Sequence, residues 1–135
     1  MSFYNDLNKG IFDKITAGTA LIASLGGSAV YYNQAPDGQS LPYVVFSYQG
    51  GGDDNITPRR SKDNVMYIRA YAVTPAAAGT IDGHLDDLLH NQTLTVAGWK
   101  NYWMARETDL TLPDNQESSE TVHSAGAFYR VRLSK

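Results

Sequence analysis

Hydrophobic positions change their spacing several times along this chain, and each change marks an element. Phe3, Leu7, Ile11 and Ile15 recur at helical spacing, which predicts an amphipathic N-terminal helix with Phe12 widening its stripe. Ser2 stands at the N-cap, and Asp6 and Lys14 lie at the ends the helix dipole favours for each sign. Gly18 interrupts the pattern. Residues 20–25 add one or two helical turns, and Gly26-Gly27 supplies the C-cap. The bland reading is a helix covering a sheet; the sharper one is a docking surface for a partner.

The period then shortens to two. Residues 29–34 and 42–49 read as the first two strands, joined as a hairpin through the turn chemistry of Pro36, Asp37 and Gly38. Tyr43, Val44, Val45 and Phe46 are apolar on both faces, as a covered central strand requires. Residues 64–72 form the third strand. Met66, Ile68, Ala70 and Ala72 give it an aliphatic face for the helices. Val65, Tyr67, Arg69 and Tyr71 give it an aromatic face, for a second layer or a subunit contact.

Thr74-Pro75 opens a second helix, with Ile81, Leu85, Leu88 and Leu89 as its stripe and an end near Asn91. Gly79 and Gly83 each weaken it by up to about 1 kcal/mol against alanine, and would permit close packing on the sheet. Residues 93–96 form a short strand and Ala97-Gly98 a turn. Residues 99–112 form a longer strand, with Trp99, Tyr102, Trp103 and Met104 covering both faces. Residues 124–133 return as the last strand, where Arg130 and Arg132 read as edge protection or, where copies assemble, as groups that line a channel or meet acidic neighbours. Residues 50–62 and 113–123 are polar, glycine- or acid-rich loops. The expected architecture is one α+β domain over residues 1–135, two helices on a mostly antiparallel sheet, in the order α-β-β-β-α-β-β-β.

The run V-Y-Y-N-Q-A-P-D-G-Q-S-L-P-Y-V-V-F at residues 30–46 follows a short helical N-terminus. Together with residues 64–72, 74–91 and L-T-V-A-G-W at 94–99, it resembles the tail-completion proteins of long-tailed bacteriophages, also called tail terminators or tail-to-head joining proteins. The resemblance is one of order and spacing over most of the chain, with no chemically diagnostic motif. It implies a structural protein of a phage or prophage that forms a ring, most often a hexamer, on the end of the tail tube. Such a ring ends tube polymerisation and joins tail to head. The implied partners are further copies of the chain, the tail tube protein and the head–tail connector protein. The implied place is the tail or neck of the virion, assembled in the cytoplasm of a bacterial host. A neck or head-completion protein on the head side of the same junction is the near alternative. A small-ligand-binding domain or enzyme is the distant one, and it predicts a concave pocket with converging polar groups.

Composition agrees with assembly rather than chemistry. The chain has 135 residues and a formal charge of −3, which argues against binding that neutralises phosphates. No specific nucleic-acid binding and no membrane association are expected. There is no cysteine, hence neither a disulfide framework nor a thiol nucleophile. No G-x-S-x-G elbow occurs, and residues 50–62 lack the G-K-[ST] ending of a phosphate loop. His84, Asp87 and His90 invite a metal reading. His84 and His90 diverge on the helical wheel, however, and Asp86 with His90 supplies only two ligands. A solvated polar face is the plainer reading, with His90 placed where a protonated imidazole suits the helix dipole. No catalytic, cofactor or metal residues are therefore expected. The candidate interaction residues are Asp53, Asp54, Arg59, Arg60 and Lys62 in the first loop and Asn115, Glu117 and Glu120 in the second. Arg59 and Arg60 are expected to meet acidic groups on a neighbouring subunit or the tube; plain solvated loops are the competing reading.

Overall fold

The computed structural model describes residues 2–36, 38–53, 60–114 and 122–135, with side chains left aside for 110–114. Its elements are α1 (Phe3–Thr16), α2 (Thr19–Leu25), β1 (Val30–Tyr32), β2 (Tyr43–Asp53), β3 (Ser61–Ala72), α3 (Pro75–Leu89), β4 (Thr95–Val96), β5 (Trp99–Asp114) and β6 (Val122–Ser134). Six strands form one sheet in the order β1-β2-β3-β6-β5-β4. The helices cover one of its faces. Leu7, Ile11 and Ile15 of α1, Leu21 of α2 and Ile81, Leu85 and Leu89 of α3 pack on Met66, Ile68 and Ala70 of β3 and Ala127, Tyr129 and Val131 of β6. Each large aliphatic side chain so buried contributes about 1.5–3 kcal/mol. The aliphatic face expected for β3 is therefore the face that meets the helices.

Two helices are too few for what is observed. The N-terminal segment breaks into α1 and α2 at Gly18, whose backbone is extended (φ −79°, ψ 105°), and Leu88 of α3 fills the space a Cβ there would need. The expected C-cap holds: Gly26 adopts φ 74° and donates to the Ala23 carbonyl, while Gly27 donates to that of Ile22. Thr74 caps α3 by accepting the Ala77 N–H at 3.1 Å.

The hairpin expected between the first two strands is replaced by a parallel pair. Val30 lies beside Val44 and Tyr32 beside Phe46. The chain therefore runs back along the sheet between β1 and β2, turning at Asn33 (φ 63°) and Gly38 (φ 78°). The parallel register brings the Tyr32 ring edge-on to Phe46, with centroids 5.4 Å apart, and keeps Val30 in the core.

Several sequence expectations are corrected by register. Strand β2 runs to Asp53 and β3 begins at Ser61, so the ends of the expected first loop are paired strand. Strands β5 and β6 likewise extend to Asp114 and from Val122. β6 is last in the chain yet interior in the sheet, between β3 and β5; Arg130 and Arg132 protect no edge. Strand β5 is not covered on both faces. Its pairing jumps from Asn101 opposite Leu133 to Trp103 opposite Arg132, so Tyr102 is an inserted bulge residue. Tyr102 and Trp103 are both half-exposed as a result. Asn101 holds the bulge: Oδ1 accepts the Leu94 N–H at 2.8 Å, and Nδ2 donates to the Trp103 and Arg132 carbonyls at 3.0 Å. Phe12 is exposed rather than part of the α1 stripe, since Leu7, Ile11 and Ile15 already fill the contact.

Close packing at Gly79 and Gly83 is not observed either. A Cβ at either position would have nothing within 4 Å. The close approaches are elsewhere. A Cβ on Gly10 of α1 would lie 2.6 Å from the Thr95 carbonyl oxygen, and one on Gly126 would collide with the backbone of Ile68 and Arg69.

Candidate functional site

Four clusters of polar and aromatic side chains lie outside the core. The first gathers the described residues of the expected first loop. Asp53, at the end of β2, accepts from Arg60 Nε at 3.1 Å and Nη2 at 3.2 Å, and Lys62 Nζ lies 3.1 Å from its Oδ1. Hydrogen bonds from Arg60 and then Lys62 hold the Asp53 carboxyl below its usual range, and the same pairing raises Arg60. Arg60 and Lys135 both lie over the Trp99 ring, and Lys62 over Phe3. Within the subunit, then, Arg60 and Lys62 share one carboxylate of their own chain. Asp54 and Arg59, and Asn115, Glu117 and Glu120 of the second loop, lie outside the described residues.

The second cluster centres on Arg106 of β5, which the sequence reading passed over. Its guanidinium forks onto Asp82 of α3, Nη1 to Oδ1 at 2.9 Å and Nη2 to Oδ2 at 2.7 Å. Nε donates to Asp109, and Nη1 also donates to the Tyr129 hydroxyl at 3.2 Å. Burial opposes the Arg106 charge, but the bonds to Asp82 and Asp109 outweigh it and hold the group above its ordinary value. Burial likewise pushes the Tyr129 phenol up, with Arg106 opposing. The backbone N–H of Arg106 donates to His90 Nδ1 at 3.0 Å. His90 Nδ1 is therefore an acceptor that ties the C-terminal end of α3 to β5. One signal of this cluster was legible: Asp82 and Asp86, four apart on α3, face the same way. Above it lies an open groove of about 540 Å³, walled by Gly79 and Gly83 and lined by four carboxylates (Asp82, Asp86, Glu107, Asp109) against the single guanidinium of Arg106.

The third cluster crosses the sheet face away from the helices. Arg130 donates to Asp63 at 2.9 Å and to Glu107 at 2.8 Å, while Arg132 lies 3.6 Å from Asp63 and over the Trp103 ring. The fourth continues on that face as an aromatic ladder. Tyr31 meets Tyr43, Tyr43 meets Tyr71, and Tyr67 meets Phe128. The Arg69 guanidinium lies between, 4.7 Å from the Tyr67 centroid and 5.2 Å from that of Tyr71. The aromatic face expected for β3 is thus real, and no second sheet covers it among the described residues.

None of these clusters joins a nucleophile to a base. Among the described residues no three His, Asp or Glu side chains are grouped to hold a metal, and no helix is long and apolar enough to cross a membrane. What the arrangement offers is two different polar surfaces on one scaffold. The family of tail completion protein gp17 matches residues 9–125 of the chain. The chain belongs to that family. This tail completion protein is accordingly a structural protein of a phage-type virion tail. A solved chain titled as the virion of a native gene transfer agent particle shares the fold at a TM-score of 0.84, with 16% identity over 99% of this chain and 98% of that one. A second solved chain aligns at a TM-score of 0.65, with 12% identity over 98% and 96%. Among proteins of curated function, none matches the tail completion protein in sequence.

Proposed function

We propose that this tail completion protein closes into a ring on the end of the tail tube, ends tube polymerisation and presents the surface to which the head joins, without catalysing a reaction. The observation that carries the reading is the family match over residues 9–125. The geometry supports it. A ring needs two unlike faces on each subunit. The acidic groove between α3 and β5 and the aromatic, arginine-bearing sheet face are unlike in charge and shape. The copies in the ring, most often six in the resemblance, the tube protein and the connector protein are its partners. Asp53, Arg60 and Lys62, with Asp54 and Arg59 adjacent to Asp53 and Arg60 in sequence, form one proposed contact region, and Asn115, Glu117 and Glu120 a second.

Electron microscopy of particles made without this gene tests the role. Overlong tails detached from heads are the expected result. Normal-length tails beside unattached, DNA-filled heads would move the protein to the head side of the joint. Intact infectious particles would end the assembly reading. Reversing the charge of Arg59 and Arg60 together is expected to reduce head–tail joining, and unchanged assembly would remove that region from the contact.

A further inference from the structure

Arg69 differs from the other arginines whose side chains are described. Arg60 has Asp53, Arg106 has Asp82, Arg130 has Asp63 and Glu107, and Arg132 has Asp63 within 3.6 Å. Among the described residues no carboxylate reaches Arg69; its recorded contacts are the faces of Tyr67 and Tyr71. Both rings are only 9% exposed, so the clamp is rigid before any partner arrives. Across the strand stands Gly126, which places no side chain beside the arginine. A guanidinium held this way keeps its hydrogen-bond fork unspent and loses little rotamer freedom on pairing.

The α3/β5 groove offers the matching deficit. The donors of Arg106 are committed to Asp82, Asp109 and Tyr129. Asp86 lies 4.0 Å from Arg106 Nη1, beyond hydrogen-bond length, and its side chain is 42% exposed. Gly83 leaves the wall beside it bare. Clamp and groove cannot meet within one molecule. The clamp lies on β3, two strands away from β5 in the sheet and on the face away from the helices, whereas the groove opens between β5 and α3.

We infer that the Tyr67–Arg69–Tyr71 clamp of one copy of this chain docks into the α3/β5 groove of a second copy, with Arg69 pairing with Asp86. The inference rests on the ring reading and names its contact. It joins unlike surfaces, so each copy keeps one clamp and one groove free for the next, as a closing ring requires.

The test is a charge swap read by sedimentation velocity of the purified chain, alone and on isolated tail tubes, with circular dichroism to show that every variant folds. Arg69→Glu and Asp86→Arg are each expected to weaken self-association about tenfold or more, and the double variant to restore it. Arg69→Lys, which keeps the charge and loses the fork, is expected to fall between. If Arg69→Glu associates as the wild type does, the clamp is not the contact, and the ring reading stands. If the single variants fail and the double variant does not recover, Arg69 meets a different anion and the pairing is wrong. A wild-type chain that stays monomeric both alone and on tubes overturns the ring and the contact together.

Discussion

Arg106 shows how much one side chain can be asked to hold. It joins α3 to β5 through Asp82, reaches Asp109 along its own strand, and satisfies the buried Tyr129 hydroxyl. Removing it orphans a largely buried carboxylate and a phenol together. Arg106→Ala is expected to lower the urea unfolding free energy by about 3 kcal/mol, more than a surface arginine would cost. Asp53 is the opposite case, an exposed carboxylate between two cations. Its folded-state pKa lies below the ordinary 3.8. The stabilisation is therefore present above 3.8 and lost as pH falls through the depressed value. A stability comparison of wild type with Asp53→Asn should show a small gap at neutral pH that closes only in that acid range. The acids and bases of residues 53–62 were legible as a charged cluster. That Asp53 pairs with Arg60 and Lys62 was not, because that pairing depends on β2 and β3 lying side by side.

Elements were legible wherever a period was long enough. The α1 stripe, the Thr74 cap, the aliphatic face of β3 and the Gly26 cap follow from local spacing. The parallel β1, the bulge at Tyr102 and the interior position of β6 follow from contacts between distant residues, which no local pattern carries. The helical glycines illustrate the difference. Gly10, Gly79 and Gly83 look alike in sequence, each a weak point in a helix. In the structure only Gly10 touches backbone, the Thr95 carbonyl. Gly79→Ala and Gly83→Ala should each stabilise the fold by about 0.5–1 kcal/mol. Gly10→Ala should destabilise it by about 1–3 kcal/mol, since a carbonyl of β4 must shift. Thermal unfolding of the three variants decides the order. If Gly83→Ala also impairs self-association while raising the melting temperature, the bare wall of the α3/β5 groove is kept for contact rather than for folding.

For the whole molecule, the arrangement of strands matters more than their number. The helices and the sheet bury one main core on one side, and the other side carries arginines, tyrosines and the exposed Tyr102 and Trp103. The sequence holds nine tyrosines and two tryptophans; only the sheet order shows which of them are left outside. The sheet order also bears on how the protein is made. Chains emerge from the ribosome in sequence order. When β3 has emerged, one of its two neighbours is still unsynthesised, because β6 pairs with it from Ser61 opposite Ser134 to Ala72 opposite His123. The half-sheet waits with its inner edge open while α3, β4 and β5 are added. A polypeptide stopped before Val122 should therefore stay protease-sensitive throughout, β1 to β3 included, and not as a folded stump. A fragment without this interior strand would have no finished face to offer the ring proposed above.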